Sequence, residues 1–196
     1  MKDRLPRRFY ARDPLTVARD LLGRVLVHRI GGRILAGRIV EAEAYGPQDP
    51  ASHAFRGPTR RNASMFGPPG HAYVYVSHGI HHCLNATTGA GSAVLIRALQ
   101  PLEGIGEMAR RRGQEDLRLL CAGPGRLCQA LGITVAEDGA DLTNTGGMWI
   151  APGDRAPQAV ATPRIGVTLA ADVPWRFVVP GSPFLSRPVS RTPRRA

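Results

Sequence analysis

Lysine is all but missing from this chain. Lys2 is the only one, and the net charge of +11 over 196 residues is carried by arginine. Arginine presents a planar fork suited to bidentate contact with phosphate, so an arginine excess points to a nucleic-acid partner. A GC-rich genome, which raises arginine and alanine together, produces the same bias without one. Cysteine is also scarce. Cys83, Cys121 and Cys128 are odd in number and lack CxxC spacing, which argues against a disulfide framework and a zinc site and leaves buried thiols in a reducing cytoplasm as the expected state. No apolar stretch approaches the length of a membrane span, and the opening "MKDRLPRRFYARD" has no apolar core of a signal segment. Internal repeats and a domain-dividing linker are absent too. The expectation is a soluble, cytoplasmic, single-domain protein without a membrane partner.

Hydrophobic content of 43% and charged content of 21% suit a globular domain with a developed core. "RDPLTVARDLLG" reads as a helix, with Asp13 as N-cap, Pro14 in the first turn and Gly23 at the end. "RVLVHRIGGRILAGRIVEAEAY" alternates like a β-hairpin about Gly31-Gly32. A long Gly/Pro/Ser-rich loop carrying Arg56, Arg60 and Arg61 follows, of the kind that is functional or disordered. "HAYVYVSHGIHHCLNAT" reads as two strands meeting at a tip, and "SAVLIRAL" (92–99) as a buried strand. "PLEGIGEMARRRG" reads as a helix opened by Pro101 and closed by Gly113, and "GPGRLCQALGI" as a second short helix. "GMWIA", "RIGVTLA" and "PWRFVVPG" read as short late strands. Strands at hairpin spacing with a few helices predict a mixed α/β (α+β) domain over residues 1–186. The Pro/Arg-rich remainder, 187–196, is expected to be a disordered basic tail.

Two clusters stand out chemically. In "RIVEAEAYGPQDPASH", a strand would put Glu41, Glu43 and Tyr45 on one face, with His53 just past the turn. Paired carboxylates suit hydrolysis of a glycosidic bond, although glutamates also decorate the wet face of ordinary surface strands. In "YVYVSHGIHHCLN", Tyr73, Tyr75 and Ser77 share a face that offers stacking to a planar ligand, or they are simply half-buried strand residues. The tip His78-Gly79-Ile80 suits a wedge pushed between base pairs. His78, His81 and His82 also admit a metal-cluster reading, weakened by the lack of ligands at suitable spacing.

"GRIVEAEAYGPQDPASHAFRGPTRRNASMF", "PGHAYVYVSHGIHHCLNATT", "AVLIRALQPLEG", "GPGRLCQALGI" and "RIGV…PWRFVVPGSPFLS", in that order, resemble the alkyladenine (3-methyladenine) DNA glycosylase family of base-excision repair. The resemblance runs from about Pro14 to about Ser186. It implies a curved antiparallel sheet with helices outside and a protruding hairpin. It also implies a monofunctional, cofactor-free and metal-free enzyme that flips damaged purines from double-stranded DNA and hydrolyses the N-glycosidic bond. By position, Glu43 matches the base that activates water and Arg97 the arginine beside it. Tyr45, His53 and Tyr75 match the walls of the base pocket, and Asn85 the residue that disfavours guanine. His78 stands where relatives carry an intercalating tyrosine, with Ile80 beside it at the tip. Arg56, Arg60, Arg61 and Arg164 are candidate phosphate contacts. A monomer, held near the nucleoid by DNA, is expected. The competing readings are a metal-dependent nuclease or hydrolase using the histidines with Glu41 and Glu43, and a non-catalytic nucleic-acid-binding module.

Overall fold

The computed structural model describes residues 3–154 and 158–189. Helix α1 spans Arg7–Tyr10 and α2 spans Pro14–Leu21. As expected, the Asp13 side chain accepts from the backbone N–H groups of Leu15 and Thr16, which satisfies two donors that a helix start leaves open. Strands β1 (Val25–Ile30) and β2 (Arg33–Tyr45) form the predicted hairpin, with Gly31 and Gly32 at positive φ in the turn. Strands β3 (Ala72–Ser77), β4 (His81–Gly89) and β5 (Ser92–Glu103) follow, then helices α3 (Ile105–Arg112) and α4 (Pro124–Leu131). Short strands β6 (Met148–Ala151), β7 (Val160–Thr162) and β8 (Arg176–Val178) complete the described strands.

All pairings are antiparallel, in the order β3-β4-β5-β2-β1-β6, in a sheet that curls into a half-barrel, with β8 joined to β2 and β7 joined to β8. The long strand β2 is the axis. Its first half pairs with β1 as far as Arg38, and its second half pairs with β8 from Glu41 to Glu43, while β5 runs along the other edge. One face of this sheet is apolar. Ala42, Ala44, Leu84, Val94 and Ile96 join Leu21, Leu127 and Leu131 of the helices in the main core. The small alanines of β2 are what the period-2 pattern demanded there. The opposite face carries Glu41, Glu43, Tyr45, Tyr73, Tyr75, Asn85 and Arg97.

A register irregularity serves that second face. Glu41 pairs with Ala98 and Ala42 with Ile96, so Arg97 is an extra residue on β5. Such a bulge re-aims a side chain, and it turns Arg97 to the side of the glutamates.

Two expected elements are corrected. Pro101 does not open a helix; it lies within β5 opposite Gly37, at another irregularity, where a missing N–H is tolerated. The helix begins only at Ile105, after Gly104. The "RIGVTLA" segment is not a strand, because its polar groups serve the carboxylates of Glu43 on the sheet and Asp49 in the loop (below) and not a ladder; β7 lies just before it. The tail expectation concerns mostly residues 190–196, outside the described residues. Of those described, Arg187 offers its carbonyl to Arg176 Nη2 at 2.8 Å.

Close packing of β2 on β5 is testable at Gly37. A Cβ there would stand 2.9 Å from the Leu99 Cβ and 3.1 Å from the Gln100 carbonyl oxygen. Gly37→Ala is expected to destabilise by about 1–3 kcal/mol, read from the midpoint of urea unfolding. An unchanged midpoint would mean that the two strands are free to separate.

Candidate active site

Glu41 and Glu43 do not sit on a wet face: both are 0% exposed. Burying two carboxylates side by side is costly unless each is paired and hydrogen-bonded, and both are. Arg97 lies between them, donating from Nε to Glu41 Oε1 at 2.9 Å and from Nη1 to Glu43 Oε2 at 3.1 Å. Tyr45 donates its hydroxyl to Glu43 Oε2 at 2.9 Å, and the Ile165 backbone N–H donates to Oε1 at 2.8 Å. Three donors therefore converge on Glu43. Glu41 accepts additionally from Arg176 Nε (2.8 Å) and from both the backbone N–H and the hydroxyl of Ser186 (2.6 Å each). Burial alone would raise the Glu41 carboxyl, but donation from Arg176 and Ser186 and the charges of Arg176 and Arg97 hold it below the usual range. The Arg97 guanidinium, which burial would lower, is raised by Glu43 and Glu41.

In front of this cluster opens a cavity of about 650 Å³. Tyr45, His53, Tyr75, His78, Asn85 and Arg97 line it, which brings together residues singled out separately in the sequence. Glu43 itself stands one layer behind, covered by Tyr45, Arg97 and Ile165. The aromatic wall is built edge to face. The His53 ring lies 4.5 Å from that of Tyr75 at 74°, and His53 Nδ1 is 2.8 Å from the Tyr73 hydroxyl. Partial burial, with the nearby Arg61 charge, lowers the His53 pKa, so the ring is neutral at physiological pH. Burial pushes the Tyr73 phenol up to about 12 and raises those of Tyr75 and Tyr45 further, the latter two also opposed by the Glu43 charge. All three remain neutral donors. Asn85 is buried and donates from Nδ2 to the Tyr73 carbonyl at 3.0 Å, which fixes its side chain against the strand.

The hairpin between β3 and β4 projects His78 and Ile80. Ile80 is 73% exposed, and His78, at φ +50°, lies 2.9 Å through Nδ1 from the Ser77 hydroxyl. A large aliphatic side chain held in water on a strained turn has no core to serve. The loop after β2 is tied down by the buried Asn62, whose Nδ2 donates to the carbonyls of His53 (2.8 Å) and Gly57 (3.1 Å). It presents Arg56, Arg60 and Arg61 to solvent, and Arg61 reaches the Val76 carbonyl just below the hairpin tip. Among the described residues, no group of three or more His, Cys, Asp or Glu side chains stands where it could hold a metal ion.

Residues 8–183 match the sequence profile of the Methylpurine-DNA glycosylase (MPG) family. The chain belongs to this family. It is therefore a DNA glycosylase, a hydrolase of DNA repair. Proteins provisionally named 3-methyladenine DNA glycosylase resemble it along most of their length. One from Nitrosospira multiformis is 53% identical, covering 91% of this chain and 92% of its own. One from Rhodopseudomonas palustris is 52% identical over 94% and 92%, and one from Methanoculleus marisnigri 50% identical over 93% and 98%. No helix among the described residues is long and apolar enough to cross a membrane.

One residue of this glycosylase departs from its expected place. Arg164 is not a phosphate contact: its side chain is buried in a double contact with Asp49, and its guanidinium lies 4.7 Å from the Tyr45 ring and 5.2 Å from that of Trp175. It backs the pocket wall. Asp49, Asn62, Arg176, Ser186 and Ile165 were missed in the sequence. Arg176 carried a signal, since one arginine within the apolar run "PWRFVV" has to find a buried partner. Asp49, beside Pro50, reads only as a turn residue, and it does cap its own turn by accepting from the Ala51 N–H.

The Arg164 assignment is testable. Arg164→Gln leaves Asp49 buried without its cation and is expected to cost about 3–5 kcal/mol in urea unfolding, whereas Arg60→Gln, at the surface, stays within about 0.5 kcal/mol. Equal effects would return Arg164 to the surface class.

Proposed function

We propose that this glycosylase draws an alkylated or deaminated purine, of the 3-methyladenine, hypoxanthine and ethenoadenine class, out of duplex DNA and hydrolyses its N-glycosidic bond. The observation that carries the reading is the convergence of three donors on Glu43 directly behind an aromatic cavity. Tyr45 and Arg97 donate to Oε2, whereas Oε1 holds one donor and retains capacity for a second, a water entering between Arg97 and Ile165. That water passes a proton to Glu43 as its oxygen bonds to C1′. The C1′–N bond breaks with its electron pair going to the base, and an abasic sugar remains in an unbroken strand. Arg97 balances the charge of this carboxylate and of the adjoining Glu41.

The cavity suits the leaving group. An alkylated purine carries positive charge and already accepts the electron pair well. It prefers the electron-rich faces of Tyr45 and Tyr75, and the neutral state of His53 avoids placing a second cation beside it. Asn85 is held rigid by its bond to Tyr73, so a guanine 2-amino group meets an obstacle that does not turn aside. Flipping costs a few kcal/mol of unstacking, least for damaged pairs. His78 and Ile80 fill the gap that the base leaves. Imidazole stacks over less area than the tyrosine of relatives, and Ile80 adds apolar contact at the same tip. Arg56, Arg60 and Arg61 meet phosphates on the loop side, and the protein acts as a monomer on double-stranded DNA without a cofactor.

Two expected outcomes test this reading. Glu43→Gln is expected to reduce free hypoxanthine released from duplex DNA by at least about 10³-fold while retaining affinity for the lesion duplex, measured by chromatography of the base and by fluorescence anisotropy. Release at the wild-type rate would refute Glu43 as the base. Asn85→Ser is expected to raise excision of guanine relative to hypoxanthine by about tenfold or more, in competition assays with both duplexes. Unchanged selectivity would remove Asn85 from the gate.

A further inference from the structure

Glu41 has no part in the reaction written above, yet it is as deeply buried as Glu43 and has more hydrogen bonds. Its Oε1 accepts from Arg97 Nε, Arg176 Nε and the Ser186 hydroxyl, and its Oε2 from the Ser186 N–H. It meets the cavity only through Arg97 and Ser186, both of which line it.

What Glu41 holds is the end of the described chain. After β8, the Val179 N–H bonds to the Val40 carbonyl at 3.0 Å, and the chain turns and returns so that Ser186 lands on Glu41. Arg176, itself paired with Glu41, grips the Arg187 carbonyl. Ser186 and Arg187 then form part of the cavity wall. The Ser186 hydroxyl donates to Glu41 at 2.6 Å and accepts from Arg97 Nη2 at 3.4 Å, which closes a ring through Glu41, Arg97 and Ser186. The three nitrogens of the Arg97 guanidinium are thereby assigned: Nε to Glu41, Nη2 to Ser186 and Nη1 to Glu43.

The geometry points to Glu41 and Ser186 as positioning residues for the glycosidic step, acting through Arg97, with residues 179–187 forming a strap that completes the active site. The role rests on Glu43 being the base. A planar guanidinium held at Nε and Nη2 cannot swing, so its Nη1 arrives at Glu43 in one orientation and leaves the open side of the carboxylate in one place for water. Released from the strap, Arg97 retains its charge but turns about its side-chain bonds, and the water loses its alignment. Base binding depends on Tyr45, His53 and Tyr75 and is untouched by that change.

The test is single-turnover excision, at saturating enzyme, from a duplex carrying one hypoxanthine, with lesion affinity and thermal midpoint measured alongside. Ser186→Ala is expected to slow excision about tenfold while affinity stays within about twofold. Ser186→Thr, which retains the hydroxyl, is expected to recover to within about threefold of wild type. Glu41→Gln is expected to fall further than Ser186→Ala, because it removes the centre of the ring; should it not fold, the serine pair still decides. Wild-type excision by Ser186→Ala, or equal loss of rate and affinity in the alanine and threonine variants, overturns the positioning role. Glu43→Gln run in parallel separates the causes. If that variant excises normally, the base assignment has failed. If it is inert while Ser186→Ala matches wild type, only the positioning role has failed.

Discussion

The sharing of one buried guanidinium by two buried carboxylates is the constraint on which the site depends. Glu41 and Glu43 point the same way from one strand, and like charges buried at that spacing repel. Arg97 removes the conflict by bonding both. With Arg176 on Glu41 and Arg164 on Asp49, three carboxylates meet three guanidiniums, and the buried charge sums to zero. Each cation is fixed by further bonds, which is what makes such burial tolerable. In a chain of net charge +11, negative charge gathers at this point because it is matched there one for one.

The sheet is arranged to make that matching unavoidable. Strand β2 is paired on both edges where the glutamates sit, by β5 and by β8, and each neighbour delivers an arginine: Arg97 from a bulge and Arg176 from a strand opposite Glu43. Ala42 and Ala44 alternate with the glutamates and let the reverse face pack as core. Segments distant in sequence then close the site, with Ile165 donating to Glu43 and Ser186 to Glu41. The cavity wall and the buried charge cluster are one structure, since Tyr45 faces the cavity while bonded to Glu43 and lies against Arg164.

Much of this was legible in the sequence, and the reasons for the failures are physical. The hairpins, the α2 cap and the shared face of Tyr73 and Tyr75 follow from short-range rules of periodicity and turn chemistry. The grouping of Glu43, Tyr45, His53, Tyr75, Asn85 and Arg97 was implied by the family resemblance. Burial of the glutamates was not legible, because strand alternation separates two faces without saying whether the polar one is wet. Pro101 misled because proline opens helices more often than it occupies a bulged strand. Arg164 looked like a surface cation because its partner Asp49 lies 115 positions away in a turn. Ser186 and Arg176 act through backbone and long-range contacts that leave almost no local trace.

In the proposed reaction a wall of tyrosines and a histidine serves one buried base, and His78 of the hairpin tip lines the same cavity. Hydrolysis as proposed removes a base and leaves the strand whole. The most direct measurement is to incubate the protein with a hypoxanthine-containing duplex in EDTA and to assay abasic sites and strand breaks separately. The proposed reaction predicts abasic sites that yield breaks only after alkali treatment. Strand scission without alkali, or loss of all activity in the chelator, would contradict it.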